Sequence, residues 1–327
     1  MSENQRSRYL SLAVALLLSA LATPLLKALV EKGGHLGIVK ENAVSYCNIM
    51  FVGNLCSAAI VFLYFRPTNI LKSFKNITTR CWKSLLANTL LANILSPIFV
   101  ISALEDGGDL TTVILLLQTN SIFYALFAWV MFGEKISRKS LLGLGTIVLG
   151  VLVLSSLPGS QPFGHSHIYT LLAAACRSLG SCLAKQVLED ESIMPAFLVL
   201  RNLIGAVGFF VLAIQMFGTG HFADAFSPGL WPLMLVYAGL VVVLAQLTWF
   251  RAVASLSSET LATWSTVVPV LAMFFAWLLV GELPDTTQWI GVVIIVGGLA
   301  IAKASFNSSA LRRLKGPKHL LRPFTGA

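Results

Sequence analysis

The chain has 327 residues, 56% of them hydrophobic and only 11% charged, where an ordinary soluble domain carries roughly 25% charge. Its bulk solvent is therefore lipid, and ten spanning helices of about 20 residues each use nearly all of it, leaving no room for a soluble domain. The net charge of +9 has to be explained by where the cations lie.

Apolar runs predict helices at 9 to 30, 44 to 65, 82 to 104, 110 to 132, 139 to 157, 168 to 188, 194 to 217, 229 to 252, 258 to 280 and 286 to 305. Backbone groups in lipid must be bonded within their own segment, so runs of this length fold as helices. The first run continues past Thr23 and Pro24 without a small-residue cleavage site, which reads as a retained span rather than a removed signal peptide. Cys47, Cys56, Cys81, Cys176 and Cys182 lie in apolar runs or a basic loop with no C-x-x-C pairing, and read as small buried residues.

Of the 23 Lys and Arg, sixteen fall on one side of a ten-span chain: Arg6 and Arg8; Arg66, Lys72, Lys75, Arg80 and Lys83; Lys135, Arg138 and Lys139; Lys303, Arg312, Arg313, Lys315, Lys318 and Arg322. Only Lys32 and Lys40 fall on the other. The positive-inside rule then puts both termini in the cytoplasm, in a bacterial inner or plasma membrane. The basic tail reads as a topology signal facing anionic lipid, and no nucleic-acid partner is expected.

The chain also repeats itself. Sliding 126 to 150 onto 274 to 298 superposes Phe127, Ala128, Trp129, Gly133, Glu134, Gly143, Ile147, Val148 and Gly150 on Phe275, Ala276, Trp277, Gly281, Glu282, Gly291, Ile295, Val296 and Gly298. Shared hydrophobicity does not put Trp on Trp and Gly-Glu on Gly-Glu, so the chain is a duplicated unit. Five helices per unit is an odd number, so the two halves enter the membrane from opposite sides. Such inverted repeats place a site near the midplane between the halves and rock around it. The expected fold is an all-α polytopic membrane protein of ten transmembrane helices in two inverted five-helix repeats.

Two F-A-W-x-x-x-G-E segments, each followed by a glycine-bearing helix, resemble the drug/metabolite transporter superfamily in its EamA-type branch. The resemblance covers 9 to 305. It implies a central cavity lined by the first, third, fourth, sixth, eighth and ninth helices, with the fifth and tenth peripheral, and transport of small organic metabolites, often outward. The corresponding domains are a cytoplasmic tail at 1 to 8, a first EamA-like repeat at 9 to 157, a connector at 158 to 167, a second repeat at 168 to 305 and a basic tail at 306 to 327.

Arg177 is the sharpest single signal. It stands near the middle of a span, where an unpaired guanidinium costs roughly 2.5 to 3.5 kcal/mol on insertion scales, so it either pairs with polar neighbours or lines the cavity and holds an anionic group. Lys27 and Lys185 occupy matching places, in Leu-Lys-Ala-Leu-Val-Glu and Ala-Lys-Gln-Val-Leu-Glu. Each either faces the cavity or snorkels to the interface, and Pro24 loosens the helix one turn before Lys27. Arg201 and Arg251 are expected to snorkel.

Uncharged polar residues at membrane depth are Asn54, Asn93, Gln118, Asn120, Gln246, Thr263, Ser265 and Thr266. Many such residues serve as interhelical glue, and Gln118 and Asn120, mid-way along the fourth helix, are the best binding candidates. Pro97 and Pro269 offer bends or gates, and Trp249 and Trp264 offer packing or stacking surface. Glu134 and Glu282 are expected to complement the positive end of the helix that follows each, and Trp129 and Trp277 to anchor at the interface.

These residues predict a secondary transporter, exporter or exchanger, for an anionic or zwitterionic metabolite such as an amino acid. The alternatives are a pore-like channel or a non-transporting scaffold. With no H-E-x-x-H and no G-x-S-x-G, an intramembrane enzyme ranks last. No cofactor or metal is called for; the partners are the substrate and membrane lipid, with a homodimer left open. All Asp and Glu can be placed in tails, loops or helix ends, with Glu105 and Glu259 nearest the interior, so a facilitator or exchanger is favoured over a carboxylate-driven proton antiporter.

Overall fold

The computed structural model describes residues 3–32, 45–133, 138–156, 163–188, 190–218, 225–226, 229–255, 264, 267–283 and 285–314. Among them every regular element is helical: α1 Glu3–Lys32, α2 Tyr46–Phe65, α3 Pro67–Lys75, α4 Thr79–Asn88, α5 Ser96–Glu105, α6 Leu110–Leu117, α7 Asn120–Phe132, α8 Arg138–Ser156, α9 His165–Val187, α10 Met194–Phe217, α11 Leu230–Tyr237, α12 Leu244–Ser255, α13 Val268–Val280 and α14 Thr286–Leu314. A π-helical segment, Thr89–Leu95, joins α4 to α5, and a second, Ala238–Val243, joins α11 to α12.

Among the described residues, six stretches are long and apolar enough to cross a membrane: Arg8–Glu31, Tyr46–Phe65, Thr79–Glu105, Leu110–Phe132, Met194–Gln215 and Leu230–Trp249. Shorter apolar helices run over Leu141–Gly150, Val268–Val280 and Gln288–Ile301. α9 has the length of a span, 23 residues, but also carries His165, His167, Arg177 and Lys185. Its polar content suits a helix with protein on most sides. One short helix went unforeseen: α3 starts at Pro67, buries Ile70 and Ser73 and leaves Lys72 and Lys75 in its last turn, an amphipathic element whose Ser73 Oγ accepts from the Ala196 N–H of α10.

The two halves pack alike. α2 lies along α10, with Cys56, Val52 and Ile49 against Ala213 and Met234. α1 runs against α12 and α13, and α9 against α5 and α7. α8 and α14 form a pair of their own, joined through Leu144, Ile147, Val292, Ile295 and Leu299. The register of that pair explains two of the repeat identities, Gly150 on Gly298 and Ile147 on Ile295. A Cβ on Gly150 would come within 2.6 Å of Ile295, and one on Gly298 within 2.9 Å of Ile147. The contact is thus reciprocal, and it runs antiparallel, since the lower-numbered residue of one helix meets the higher-numbered residue of the other.

The F-A-W-x-x-x-G motif also has a geometric reason. α7 ends on Gly133 at φ 64, ψ 21, whose N–H meets the carbonyls of Ala128 and Trp129. α13 ends on Gly281 at φ 87, ψ 8, bonded in the same way to Ala276 and Trp277. A left-handed cap favours glycine because it has no Cβ to clash. The alanines are buried, whereas Trp129 and Trp277 are about half exposed, at 55% and 47%. That placement fits indoles at a membrane interface.

Candidate functional site

α9 carries its polarity on one face. Ile168 and Leu172 are exposed, and Arg177 and Ser181 lie nine residues beyond each of them, two and a half turns round the helix. Arg177 therefore points away from the apolar, lipid-compatible side. On its own side, Ser166, Thr170 and Ala173 are buried, whereas Arg177, Ser181 and Lys185 are exposed. Arg177 is thus an exposed cation part-way along α9, turned from its apolar face.

Two neighbouring spans pack against α9 near Arg177, and both are irregular there. Beside Gly180, a Cβ would come within 2.6 Å of Ala92 in the first π segment. Such segments often mark functional sites, and Pro97, which follows it, has no N–H to offer the carbonyl four residues back. On the other flank, the span formed by α6 and α7 breaks at Gln118 and Thr119. There the backbone N–H groups bond to Leu115 and Leu116, three residues back, and Gln118 Nε2 and Thr119 Oγ1 donate to the carbonyls of Ile114 and Leu116. Ser178 Oγ donates to the Asn120 carbonyl at 2.8 Å, so the break lies directly beside Arg177.

Arg201 stands across the π segment. Asn93 Nδ2 donates to the Arg201 carbonyl at 3.1 Å and to Asn54 Oδ1 at 3.0 Å, and Gly205, one turn on, is pressed against the same Asn93 amide. The Arg201 side chain is half-buried, its Nε sealed from solvent without a hydrogen-bond partner, and it lies within electrostatic reach of Arg177. Among the described residues no carboxylate pairs with either arginine.

At the opposite end of the molecule, polar side chains tie helices together. Lys27 of α1 pairs with Glu282, just past α13, and with Glu31 at 3.6 Å. Glu282 Oε2 also accepts from the Leu110 N–H, the first residue of α6, at 2.9 Å. Asp109 accepts from Thr112 N–H and from Gln288 Nε2, each at 2.8 Å. One polar cluster therefore joins α1, the start of α6 and the start of α14. Glu282 was expected to complement its own following helix, but Asp285 and Gln288 cap that helix reciprocally, leaving the Glu282 carboxylate to cap α6 instead. Acids collect at this end, where Tyr46 lies within electrostatic reach of Glu105 and Glu31. Lys72, Lys75, Arg80 and Lys83 occupy the other end.

The sequence profile of the EamA-like transporter family matches residues 7–156 and again 165–303. The chain belongs to that family. It is 28% identical to an uncharacterised transporter of Synechocystis over 89% of this chain and 85% of the relative. It is 27% identical to a Salmonella typhimurium protein named a probable amino-acid metabolite efflux pump, over 67% of this chain and 75% of the relative. A solved crystal structure shares the fold, with a TM-score of 0.59 and 16% identity over 94% of this chain and 99% of that one.

Within this EamA-like transporter, Gln118 and Asn120 lie at the break between α6 and α7, where the Asn120 carbonyl meets Ser178 beside Arg177, and Asn93 lies in the π segment against Arg201. Lys185 sits two turns beyond Arg177 on α9, its Nζ 4.9 Å from the Phe132 ring centroid. Lys27 lies in the polar cluster at the far end. Gln246 is half-buried with its Oε1 unpartnered, and Trp264 is exposed. Pro97 and Pro269 stand in the first turns of α5 and α13, and the cysteines are free thiols. Glu134, Thr263, Ser265, Thr266 and Glu259 lie outside the described residues, as does the Arg251 side chain. Arg201, expected to snorkel, sits seven residues beyond the start of α10, half-buried, with its carbonyl held by Asn93.

Proposed function

We propose that this membrane transporter carries a small organic metabolite, anionic or zwitterionic, by alternating access, as an exporter or exchanger. Arg177 carries the reading: an exposed guanidinium part-way along a helix, beside a broken span, would line a recess reached from one end while polar contacts tie the other. A permanent pore needs both ends open, and the Lys27–Glu282 cluster argues against one.

The architecture we infer is ten spans in two inverted five-helix repeats, with bounds near 9 to 157 and 168 to 305. Three observations support it. The family profile matches twice. The π segments and the glycine caps recur in both halves. The α8–α14 contact is reciprocal and antiparallel, as a two-fold axis lying in the membrane plane demands. The positive-inside rule then assigns the basic end and both termini to the cytoplasm, and the recess around Arg177 faces inward. The efflux named for the Salmonella relative is in line with outward movement of an organic metabolite.

Counterflow in proteoliposomes tests this reading. Saturable, trans-stimulated uptake of a metabolite found by thermal-shift screening is expected, with no response to an imposed pH gradient. Conductance without saturation would show a channel, and uphill transport driven by the gradient would remove the facilitator or exchanger assignment.

A further inference from the structure

We propose that Arg177 and Arg201 together form a site for an organic dianion, either a phosphate ester or a short dicarboxylate. The two arginines approach from different helices across one short stretch of the third span. Gly180, three residues from Arg177, packs on Ala92, and the next residue, Asn93, is bonded to the Arg201 backbone. They therefore stand at the same depth, on either side of the π segment.

Nothing in the repeat requires arginine there. Aligning the first helices of the two halves on Lys27 and Lys185 puts Ser19 opposite Arg177, and the 148-residue shift puts Gly53 opposite Arg201. The half that lacks these charges builds the same helices, so the pair is not a folding element.

Two guanidinium groups within reach of each other repel, and among the described residues no carboxylate pairs with either. A zwitterion would bring a third cation into this space, and a monoanion would leave one guanidinium without a counter-charge. A dianion balances both, and the planar fork of each arginine matches a carboxylate or phosphate edge. The Arg201 Nε, sealed and unbonded, is a donor that such an oxyanion would satisfy.

This inference rests on the transporter reading for the location of the site, but its test is binding, which needs no flux. Purified full-length protein is titrated with succinate, glycerol 3-phosphate, lactate and leucine in a thermal-shift assay, with Arg201→Gln and Arg201→Lys alongside. At least one dianion should bind ten-fold or more tighter than lactate and leucine. Arg201→Gln should erase that preference, and Arg201→Lys, which keeps the charge, should retain part of it. A wild-type-like elution profile for both variants shows that they fold.

Equal or tighter binding of lactate or leucine overturns the dianion while leaving the transporter standing. Absence of any shift with all four probes also overturns it, because a preformed two-arginine site must bind the simplest dianions; counterflow then judges the transporter reading separately. A preference for glycerol 3-phosphate that grows as pH rises past the second phosphate ionisation, near 6, singles out the phosphate ester, and one confined to succinate singles out the dicarboxylate.

Discussion

The two halves of this transporter share their turns and differ in their charges. Gly133 and Gly281 end α7 and α13 in the same left-handed conformation, and Gly150 and Gly298 admit Ile295 and Ile147 in one reciprocal contact. In contrast, Arg177 and Arg201 have Ser19 and Gly53 as counterparts. What recurs holds the helices together, and what does not recur gives the recess its sign. The repeated residues should therefore respond to mutation in pairs and through stability, whereas the unrepeated ones should respond singly and through transport.

The largest expected effect is at an unrepeated residue. Arg177→Gln should lower substrate affinity by at least ~30-fold, the range for removing one side of a desolvated charge contact, with elution profile and thermal stability kept; Ser19→Gln, its counterpart, should leave affinity unchanged. Equal losses at both positions in a substrate titration would erase the distinction between the halves.

Next comes the tie at the acidic end. Lys27→Met removes a part-buried ion pair, and Glu282→Gln removes that pair and the carboxylate charge at the start of α6, each roughly 1 to 2 kcal/mol. The ratio of outward-open to inward-open protein should rise roughly 5- to 30-fold, read from thiol labelling at the acidic end. Exchanging the charges with Lys27→Glu and Glu282→Lys together should restore part of the closure. If the single variants label like the parent, the pair does not hold that end shut.

Repeated residues follow. Gly150→Val and Gly298→Val should each cost about 1 to 3 kcal/mol through overpacking, and by similar amounts, since each glycine meets the isoleucine equivalent to the other's. Unequal shifts in melting temperature would show that the contact is not two-fold. The smallest effects belong to the caps, where Gly133→Ala and Gly281→Ala should each cost about 1 kcal/mol without changing flux.

Much of this was legible in the sequence because lipid makes helices obligatory and the duplication is strong. The apolar runs predicted nearly every helix, and the glycine of each Gly-Glu pair marked a helix end. Interactions between distant segments were not legible. Glu282 precedes α14 and was assigned to it, but Asp285 already caps that helix, and only the fold brings Leu110, 172 positions away, under the carboxylate. Arg201 read as a snorkelling residue from its distance to the helix end alone; the chain does not announce that Asn93 and Gly205 draw that face of α10 against the third span. The π segments, too, leave no periodic trace that separates them from ordinary helix.

The central claim is that Arg177 lines a water-filled recess open at the basic end and shut at the acidic end by Lys27 and Glu282. The most direct measurement is labelling of Arg177→Cys by a membrane-impermeant maleimide added to either side of oriented vesicles, in protein whose five native cysteines have been replaced by serine or alanine. The account predicts labelling from the cytoplasmic side alone, and labelling from both sides once Lys27→Met is added. Failure to label from either side would place the residue in lipid or packed protein, and equal labelling from both sides before the tie is broken would make the structure a pore.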